Sequence, residues 1–598
     1  MPGARLRRGG AQFSVWAPDA TALTLCLFEG EEERRVPMVR KGEEWHAEVP
    51  GVRAGQRYGY RAAGAWAPER GLCFDPVKLL LDPWASAIDR PFAYDPRLGE
   101  RGVETAELVP KSVLEAPLAD IRRAPPRFAP GGLIYEVNVR GFTMRHPDVP
   151  EAQRGTVAAL GHPAVIAHLR KLHVAAVELM PIVAWIDERH LPALGLRNAW
   201  GYNPVVPMAL EPRLCPGGMA ELRAAVARLH RAGIGVILDL VFNHTGESDR
   251  LGGTLSMRGL GERCWYATGP DGELVNDTGT GNMLDCARLQ VRALILAALR
   301  RFVREAGVDG FRFDLAPVLA RGPGFDPAAP IFAEIAADPW LADRLMIAEP
   351  WDVGPGGYQL GNFPTGWLEW NDRYRDDVRR FWRGDGGIGA LVTRIAGSSD
   401  LFARPTRTVN FLAAHDGFTL ADTVAYAQRH NEANGEGNRD GHAENMSWNH
   451  GIEGPTDDAA VNGRRRADMR AMLETLFAST GTIMLTAGDE SGRTQQGNNN
   501  AYAQDNDLSW LDWAGRDRAL EDFVAALAAR RAAAGDLFAD FPQPGTWRRA
   551  DGAEMTVTDW ESSATDIVHY EGGEAGGRRL RLSVDRAGRR VLVDIVRN

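Results

Sequence analysis

The sequence predicts a multidomain protein in which a central (β/α)8 TIM barrel is flanked by an N-terminal β-sandwich and a small C-terminal all-β domain. Its 598 residues exceed a single domain, since domains average about 150 residues. Between residues 126 and 538, short apolar stretches alternate with amphipathic ones, which is typical of parallel strands joined by helices. Short strands and turns dominate on either side. We therefore predict domains at residues 1–125, 126–538 and 539–598.

The two flanking regions show the pattern of small β-domains. Short strands separated by turn residues occupy about residues 12–82 and favour a sandwich. A proline-rich, irregular stretch at about 95–130 is typical of a linker wrapped on a neighbour. After residue 541 the strand pattern returns, with strands predicted at 554–558, 566–570, 579–584 and 591–593.

Eight candidate strands and the helices between them define the predicted barrel. An alternative is a doubly wound open sheet, although no G-x-G-x-x-G motif follows a strand. Eight βα units close naturally into a barrel, and about 400 residues fit that fold when its loops are enlarged. The predicted strands are 133–139, 175–180, 235–242, 308–314, 345–349, 367–371, 408–413 and 482–487. The clearest predicted helices are 162–172, 219–232, 289–305, 464–479 and 519–531.

Composition excludes several functional classes. The net charge of −10 argues against nucleic acid as the main partner, because phosphate binding needs a basic surface. No apolar run reaches 18 residues, so no membrane span is expected. Five scattered cysteines and the absence of an apolar signal-peptide core after the N-terminus favour a soluble, cytoplasmic protein. The seventeen tryptophans suit sugar rings, although more than half are expected to pack in the core.

The apolar strand at 308–314 carries the first candidate catalytic residue. Because side chains alternate along a strand, Arg312 and Asp314 share one face, opposite Phe311 and Phe313. A neighbouring guanidinium favours the charged form of a carboxyl group, which is what a carboxylate nucleophile needs. A structural Asp–Arg pair in the core explains this strand equally well when it is considered alone.

Polar groups at four predicted strand ends strengthen the catalytic interpretation, because a TIM barrel places its active site at the carboxyl ends of its strands. A single aspartate at a strand end is more often a cap or turn former, and a single histidine more often a packing residue. Four strand ends that carry such groups together favour a site. They bear Asp239 and His244, Arg312 and Asp314, Glu349, and His415 and Asp416.

These residue types match glycoside hydrolysis, which uses one charged and one protonated carboxyl group across the scissile bond. Asp314 fits the charged group. Glu349 lies between an apolar strand and Pro350-Trp351, a dry setting that raises a carboxyl pKa, so it fits the general acid. Asp416 can stabilise positive charge and keep Glu349 protonated by repulsion. A separation of about 5–5.5 Å between nucleophile and acid would mean retention of anomeric configuration.

At these residues the chain resembles the α-amylase superfamily of glycoside hydrolases, whose four short motifs match residues 239–244, 310–316, 348–352 and 410–416 in order. The resemblance implies a retaining mechanism with Asp314 as nucleophile, Glu349 as acid/base and Asp416 as transition-state stabiliser. It further implies substrate-holding roles for Arg312, His244 and His415, and a sugar-stacking role for Tyr202 in the motif Trp200-Gly201-Tyr202-Asn203-Pro204. Asp239 matches a structural aspartate of the third-strand motif, and we count it among the substrate-binding residues as well.

Further motifs lie at residues 154–156 with 160–163, 200–204, 438–441 with 449–451, and 488–490 with 504–506. At these motifs the chain resembles bacterial glycogen debranching enzymes of the isoamylase type. Segment 13–18 resembles the carbohydrate-binding-like module that precedes such barrels. The resemblance implies hydrolysis of α-1,6 branch linkages in glycogen or phosphorylase limit dextrin, with a branched α-glucan as partner.

Two alternative functions remain open at this stage. A 4-α-glucanotransferase on the same barrel would share every catalytic residue. The other alternative is a non-catalytic glucan-binding protein. We expect no required cofactor. A structural Ca²⁺ would suit the oxygen-rich loops, but no run has the spacing of a dedicated calcium loop, so no metal ligand is predicted. Nothing in the sequence indicates an oligomeric state.

Overall fold

A closed barrel of eight parallel strands forms the centre of the protein, as the sequence predicts. The computed structural model describes residues 2–322, 324–542, 545–562, 565–575 and 578–597. Each predicted barrel strand has an observed counterpart in these residues, and the open-sheet alternative is wrong. The strands, here called barrel strands 1 to 8, are Leu133–Val137, Ala176–Leu179, Gly235–Leu240, Gly310–Phe313, Leu345–Ala348, Trp367–Asn371, Thr408–Asn410 and Thr482–Thr486.

The two faces of the strands pack into different layers. Inside the barrel, buried side chains such as Ile134, Ile237 and Trp370 form one cluster. Outside it, Phe311 and Phe313 of barrel strand 4 join the large cluster between strands and helices. The strand register places Arg312 opposite Asp239 of strand 3, so polar residues of neighbouring strands meet at one level of the interior.

The helices cover the outside of the barrel, and polar side chains fix where several of them begin. Asp517, for example, accepts hydrogen bonds from the backbone N–H groups of Ala519 and Leu520, which caps the last long helix. The longer helices are Pro163–Lys171, Gly218–Arg231, Met257–Trp265, Leu289–Arg301, Pro330–Ala337, Asp372–Arg383, Ile388–Ile395, Ala459–Ala478 and Arg518–Ala534; shorter ones are Val139–Thr143, Val157–Leu160 and Leu420–Thr423. All five predicted helices are present within a few residues of their predicted ends.

Two antiparallel sheets form the N-terminal β-sandwich, and its prediction is confirmed. Their facing side chains, including Phe13, Val15, Leu25 and Tyr60, have no exposed surface. The first sheet contains, in spatial order, Gly3–Arg7, Gly10–Trp16, Glu44–Pro50 and Val39–Lys41. The second contains Ala87–Ile88, Ser112–Val113, Arg57–Ala63, Ala22–Glu29 and Glu32–Pro37.

A four-stranded antiparallel sheet forms the C-terminal domain, with strands Thr546–Arg549, Ile567–Ala575, Arg578–Asp585 and Arg590–Arg597. The prediction of a strand at 554–558 is wrong, because the chain forms a short helix, Val557–Glu561, at this position. Thr556 and Asp559 form a capping box, in which each side chain accepts a hydrogen bond from the other residue's backbone N–H. This local cap outweighs the alternating apolar pattern.

Two expectations concern the chain as a whole. Within the part of the chain that the structure describes, no helix has the length and apolar character that crossing a membrane requires. The domain boundaries at 125/126 and 538/539 stay predictions.

Candidate active site

A cleft of about 990 Å³ opens at the carboxyl ends of the barrel strands. It contains all three predicted catalytic carboxyl groups, those of Asp314, Glu349 and Asp416. Asp314 directly follows barrel strand 4, and Glu349 directly follows strand 5. The residues of the prediction that line the cleft are Tyr202, His244, Asp314, Glu349, His415 and Asp416; Asp239 and Arg312 lie behind its wall.

Arg312 connects the carboxyl groups of the site. Its Nη1 donates to Asp239 Oδ1 at 2.9 Å and to Asp314 Oδ1 at 3.0 Å, and its Nη2 donates to Glu349 Oε2 at 2.9 Å. The guanidinium is buried and lies 4.4 Å from the centre of the Trp370 ring. One fixed cation therefore orients the predicted nucleophile and the predicted acid toward the same cavity.

Glu349 has the environment of a carboxylic acid that keeps its proton. Burial and the charges of Asp314 and Asp416 together raise its pKa to about 8, against the opposing charge of Arg312. Its Oε2 also accepts a 2.8 Å hydrogen bond from the backbone N–H of Leu315. The direction agrees with the dry setting predicted from the sequence, and it suits a general acid that works near neutral pH.

Asp314 is held through both carboxylate oxygens. Asn243 Nδ2 donates to Asp314 Oδ2 at 2.8 Å and to its backbone oxygen at 2.8 Å, while Arg312 binds Oδ1. The next residue, Leu315, has a φ of +42°, which lies in the left-handed region that branched side chains rarely adopt. Such strain is typical of functional sites, and here it accompanies the contact between Leu315 and Glu349.

Tyr202 and His415 form a stacked pair in the cleft. Their ring centres are 4.8 Å apart with an interplanar angle of 24°. The Tyr202 hydroxyl donates to Asp239, and His415 Nδ1 donates to Glu136 Oε1 at 2.8 Å. Burial alone would lower the pKa of His415, but the Glu136 carboxylate and the charge of Asp416 outweigh it and raise the pKa to about 9. His415 therefore carries a positive charge at neutral pH.

Asp416 is paired with a histidine that lies outside the barrel strands. His442 Nε2 donates to Asp416 Oδ2 at 3.1 Å. Burial would raise the pKa of Asp416, but this hydrogen bond and the charges of His415, His442 and Arg375 hold it well below its usual range. Asp416 therefore stays negatively charged, as a group that stabilises a cation requires.

Three predicted substrate-binding residues have contacts that the sequence did not reveal. Arg312 and Asp239 are buried and bind each other; the Nη atoms of Arg312 also donate to site carboxylates, and Asp239 accepts from the Tyr202 hydroxyl. Nε2 of His244 lies 2.8 Å from the backbone oxygen of Tyr202, and its Nδ1 contacts Asn243. Direct contact of these three residues with a sugar stays a prediction.

Four residues of the site were not predicted from the sequence: Glu136, Asn243, Trp370 and His442. Two of them carried a usable signal. Glu136 is a single carboxylate within an otherwise apolar strand, and its neighbour across strands 1 and 2 is Glu178. Asn243 lies beside the recognised His244. In contrast, nothing local indicates that His442 contacts Asp416.

The described residues contain no group of three or more histidine, cysteine, aspartate or glutamate side chains arranged to hold a metal ion. The expectation that no cofactor is required stays a prediction.

The chain is similar along nearly its whole length to curated bacterial proteins. It is 47% identical over 586 residues to the glycogen debranching enzyme of Serratia proteamaculans, covering 94% of this chain and 88% of that relative. It is 46% identical over 601 residues to the glycogen debranching enzyme of Yersinia enterocolitica, covering 97% of this chain and 90% of that relative.

Solved structures and a domain family support the architecture. The pullulanase of Anoxybacillus sp. LM18-11 complexed with maltotetraose aligns with a TM-score of 0.70 at 22% identity, covering 98% of this chain and 81% of that one. The type I pullulanase of Bacillus subtilis complexed with maltose aligns with a TM-score of 0.73 at 22% identity, covering 98% and 78%. Residues 3–85 match carbohydrate-binding module 48, described as the isoamylase N-terminal domain. The structural likeness concerns the fold alone.

Proposed function

Because the chain belongs to the family of glycogen debranching enzymes, we propose that it hydrolyses the α-1,6-glucosidic branch linkages of glycogen or phosphorylase limit dextrin. It is a glycoside hydrolase, and its partner is a branched α-glucan. The observation that carries the proposed chemistry is the single Arg312 guanidinium that binds both Asp314 and Glu349 in one cleft.

In the first step, Asp314 attacks the anomeric carbon of the branch. Glu349 donates its proton to the glycosidic oxygen, the bond between the anomeric carbon and this oxygen breaks, and the main chain leaves with a free 6-hydroxyl group. The branch remains bound to Asp314 as a glycosyl ester. The raised pKa of Glu349 supports this assignment, since the acid must hold a proton at the working pH.

In the second step, the roles of the carboxyl groups reverse. Glu349, now ionised, takes a proton from water, whose oxygen attacks the anomeric carbon and displaces Asp314. Two displacements at one carbon retain its configuration. Asp416 faces the same cavity and stays charged, so it can stabilise the positive charge that develops in each transition state.

The size and lining of the cleft suit an oligosaccharide branch. Its volume of about 990 Å³ lies at the upper end of the usual range for ligand pockets, about 300–1,000 Å³. The Tyr202 ring gives a sugar face a flat apolar surface, and the charged His415 can donate a hydrogen bond to a sugar hydroxyl. We assign both residues to the sugar at the cleavage point.

We also place the enzyme in the cytoplasm, without a required metal. The five cysteines are free and buried in the part of the chain described, which fits a reducing compartment.

Product analysis on three glucans tests the proposed function. Phosphorylase limit dextrin, amylose and pullulan are incubated in parallel with the full-length protein and with Asp314→Asn. We expect short linear chains from the limit dextrin, intact amylose, and no products from the variant. Cleavage of amylose would contradict debranching, and longer products from a linear maltooligosaccharide would identify the transferase instead.

A further inference from the structure

His442 reaches Asp416 from the long loop between the helices Leu420–Thr423 and Ala459–Ala478, not from a barrel strand. Its Nε2 donates to Asp416 Oδ2 at 3.1 Å, while its side chain keeps 45% of its surface exposed. His442 is not among the residues that line the cleft, whereas Asp416 is. Its contact with the carboxylate is therefore made from outside the cleft lining.

Three buried asparagines hold the loop of His442 against the segment that follows Asp416. We call Asn431, Asn445 and Asn499 the amide clamp. Asn431 Nδ2 donates to Asn499 Oδ1 at 2.8 Å, and Asn499 N returns a bond to Asn431 Oδ1 at 2.9 Å. Asn499 Nδ2 donates to Asn445 Oδ1 at 2.8 Å. The three buried side chains are thus linked in a row, with Asn499 in the middle.

Asn499 connects the clamp directly to both members of the His442–Asp416 pair. Its Nδ2 donates to the backbone oxygen of His442 at 2.8 Å. Its own backbone oxygen accepts from the N–H of Gly417, the residue after Asp416, at 2.9 Å. A single buried side chain and its backbone therefore fix the relative position of the histidine and the carboxylate.

Glycines lie next to both members of the pair. Gly441, immediately before His442, has a φ of +74°, and a Cβ there would collide with Asn499 Oδ1, so the glycine allows the clamp to approach. Gly417 has a φ of +92°, a backbone conformation that residues with a side chain rarely adopt, although a Cβ there would make only an ordinary 3.7 Å contact with His442 Cδ2.

We propose that His442 is a positioning residue for the reaction, and that the amide clamp holds it in place to fix the orientation of Asp416. The inference rests on the proposed function, since it takes Asp416 as the transition-state stabiliser. With Oδ2 bound to His442, the carboxylate cannot rotate freely, and Oδ1 is left for the anomeric carbon. The buried amide clamp restrains the backbone of His442, so this orientation exists before the substrate binds.

The first test compares two histidines that make similar contacts. His430 Nε2 also lies 3.1 Å from a carboxylate, Glu453, and both pairs are partly exposed, but Glu453 is not in the cleft. On limit dextrin, His442→Ala should lower kcat roughly tenfold to a hundredfold, as expected for a hydrogen bond to a charged group, with KM changed less than about twofold. His430→Ala should change both constants less than about twofold. Equal kcat values for the two variants would overturn the proposal.

A conservative substitution separates positioning from packing. The side-chain amide of His442→Gln can still donate to Asp416, whereas the alanine variant cannot. We expect His442→Gln to recover at least a third of the wild-type kcat. No recovery, with unchanged thermal unfolding in both variants, would contradict a role as hydrogen-bond donor.

A double-mutant cycle tests whether the clamp acts through His442. Asn499→Ala should lower kcat in the wild-type background, but it should add less than about a twofold loss in the His442→Ala background. Multiplicative losses would show that Asn499 acts by another route and would overturn the role of the clamp. If Asn499→Ala does not fold, the two His442 substitutions decide the proposal.

Asp416→Asn separates this inference from the proposed function. An active Asp416→Asn enzyme would refute the role of Asp416 itself. An inactive Asp416→Asn enzyme beside a fully active His442→Ala enzyme would refute only the positioning role.

Discussion

Replacing Glu349 with glutamine should make the protein more stable at alkaline pH, although it removes the catalytic acid. Burial and the charges of Asp314 and Asp416 raise the pKa of Glu349 to about 8, from 4.5. The folded state therefore keeps a proton that the unfolded chain releases. The stability that Glu349 contributes is complete below about pH 4.5, and it is lost progressively as the pH rises to about 8.

The size of the effect follows from the same pKa values. Glutamine is uncharged at every pH, and its amide oxygen can accept the bonds from Arg312 and Leu315 that Glu349 Oε2 accepts now. Near pH 5 the two proteins should have similar free energies of unfolding. At about 1.4 kcal/mol per pH unit, Glu349→Gln should become more stable than the wild type by about 4 kcal/mol at pH 8.5.

Urea unfolding at pH 5, 6, 7, 8 and 8.5 measures this difference, because groups that do not interact with Glu349 contribute equally to both proteins. Glu453→Gln is the control. Burial would raise the pKa of Glu453, but hydrogen bonds from Ala427, Gln428, Asn449 and His430 lower it, so its contribution is constant above pH 5. A difference between wild type and Glu349→Gln that does not change with pH would refute the reasoning about the acid.

Substitutions at three further residues test other parts of the site. Asp314→Asn should lower kcat on limit dextrin by a factor on the order of 10⁴, measured by reducing-end release, because amide attack is negligible. Glu136→Gln removes the carboxylate that raises the pKa of His415, so its kcat/KM should begin to fall at a lower pH than that of the wild type, whose alkaline limit is set by Glu349 at about pH 8. Tyr202→Phe keeps the ring but loses the bond to Asp239, and its kcat/KM should fall about tenfold, with Tyr202→Ala lower still.

The position of the predicted catalytic groups could be derived from the sequence because a barrel gathers the ends of its strands. Asp314, Glu349 and Asp416 are separated along the chain, yet each follows a strand that was recognisable from apolar residues. Once eight parallel strands are assumed, their carboxyl ends must meet at one opening. The alternation of side chains along barrel strand 4 then placed Arg312 beside Asp314, and their contact in the structure confirms this.

The shared use of Arg312 could not be derived in the same way. Alternation predicts a pair with Asp314, but the bonds to Asp239 and Glu349 depend on how strands 3, 4 and 5 align. A shift of one residue in that register would turn these side chains to opposite faces. Register is set by packing of the whole barrel, which a local pattern does not contain.

Contacts made by loops were also beyond the sequence. His442 was visible in a long polar loop, but its path to Asp416 depends on bonds with Asn499, more than fifty residues away.

Near the C-terminus, by contrast, the residues that decide the structure are local. The capping residues Thr556 and Asp559 were visible in the sequence, yet an alternating pattern around them favoured a strand. The prediction followed the alternating pattern, whereas the structure follows the capping box.

Covalent trapping tests the central claim most directly, which is that Asp314 attacks the anomeric carbon while Glu349 moves the proton. The fluoride of a maltosyl fluoride departs without protonation by an acid. Glu349→Gln should therefore still form the glycosyl ester, but it should hydrolyse this ester slowly. Mass spectrometry of the digested protein should find the added maltosyl group on the peptide that contains Asp314. A label on the peptide of Asp416, or no label in a variant that consumes the fluoride, would contradict the account.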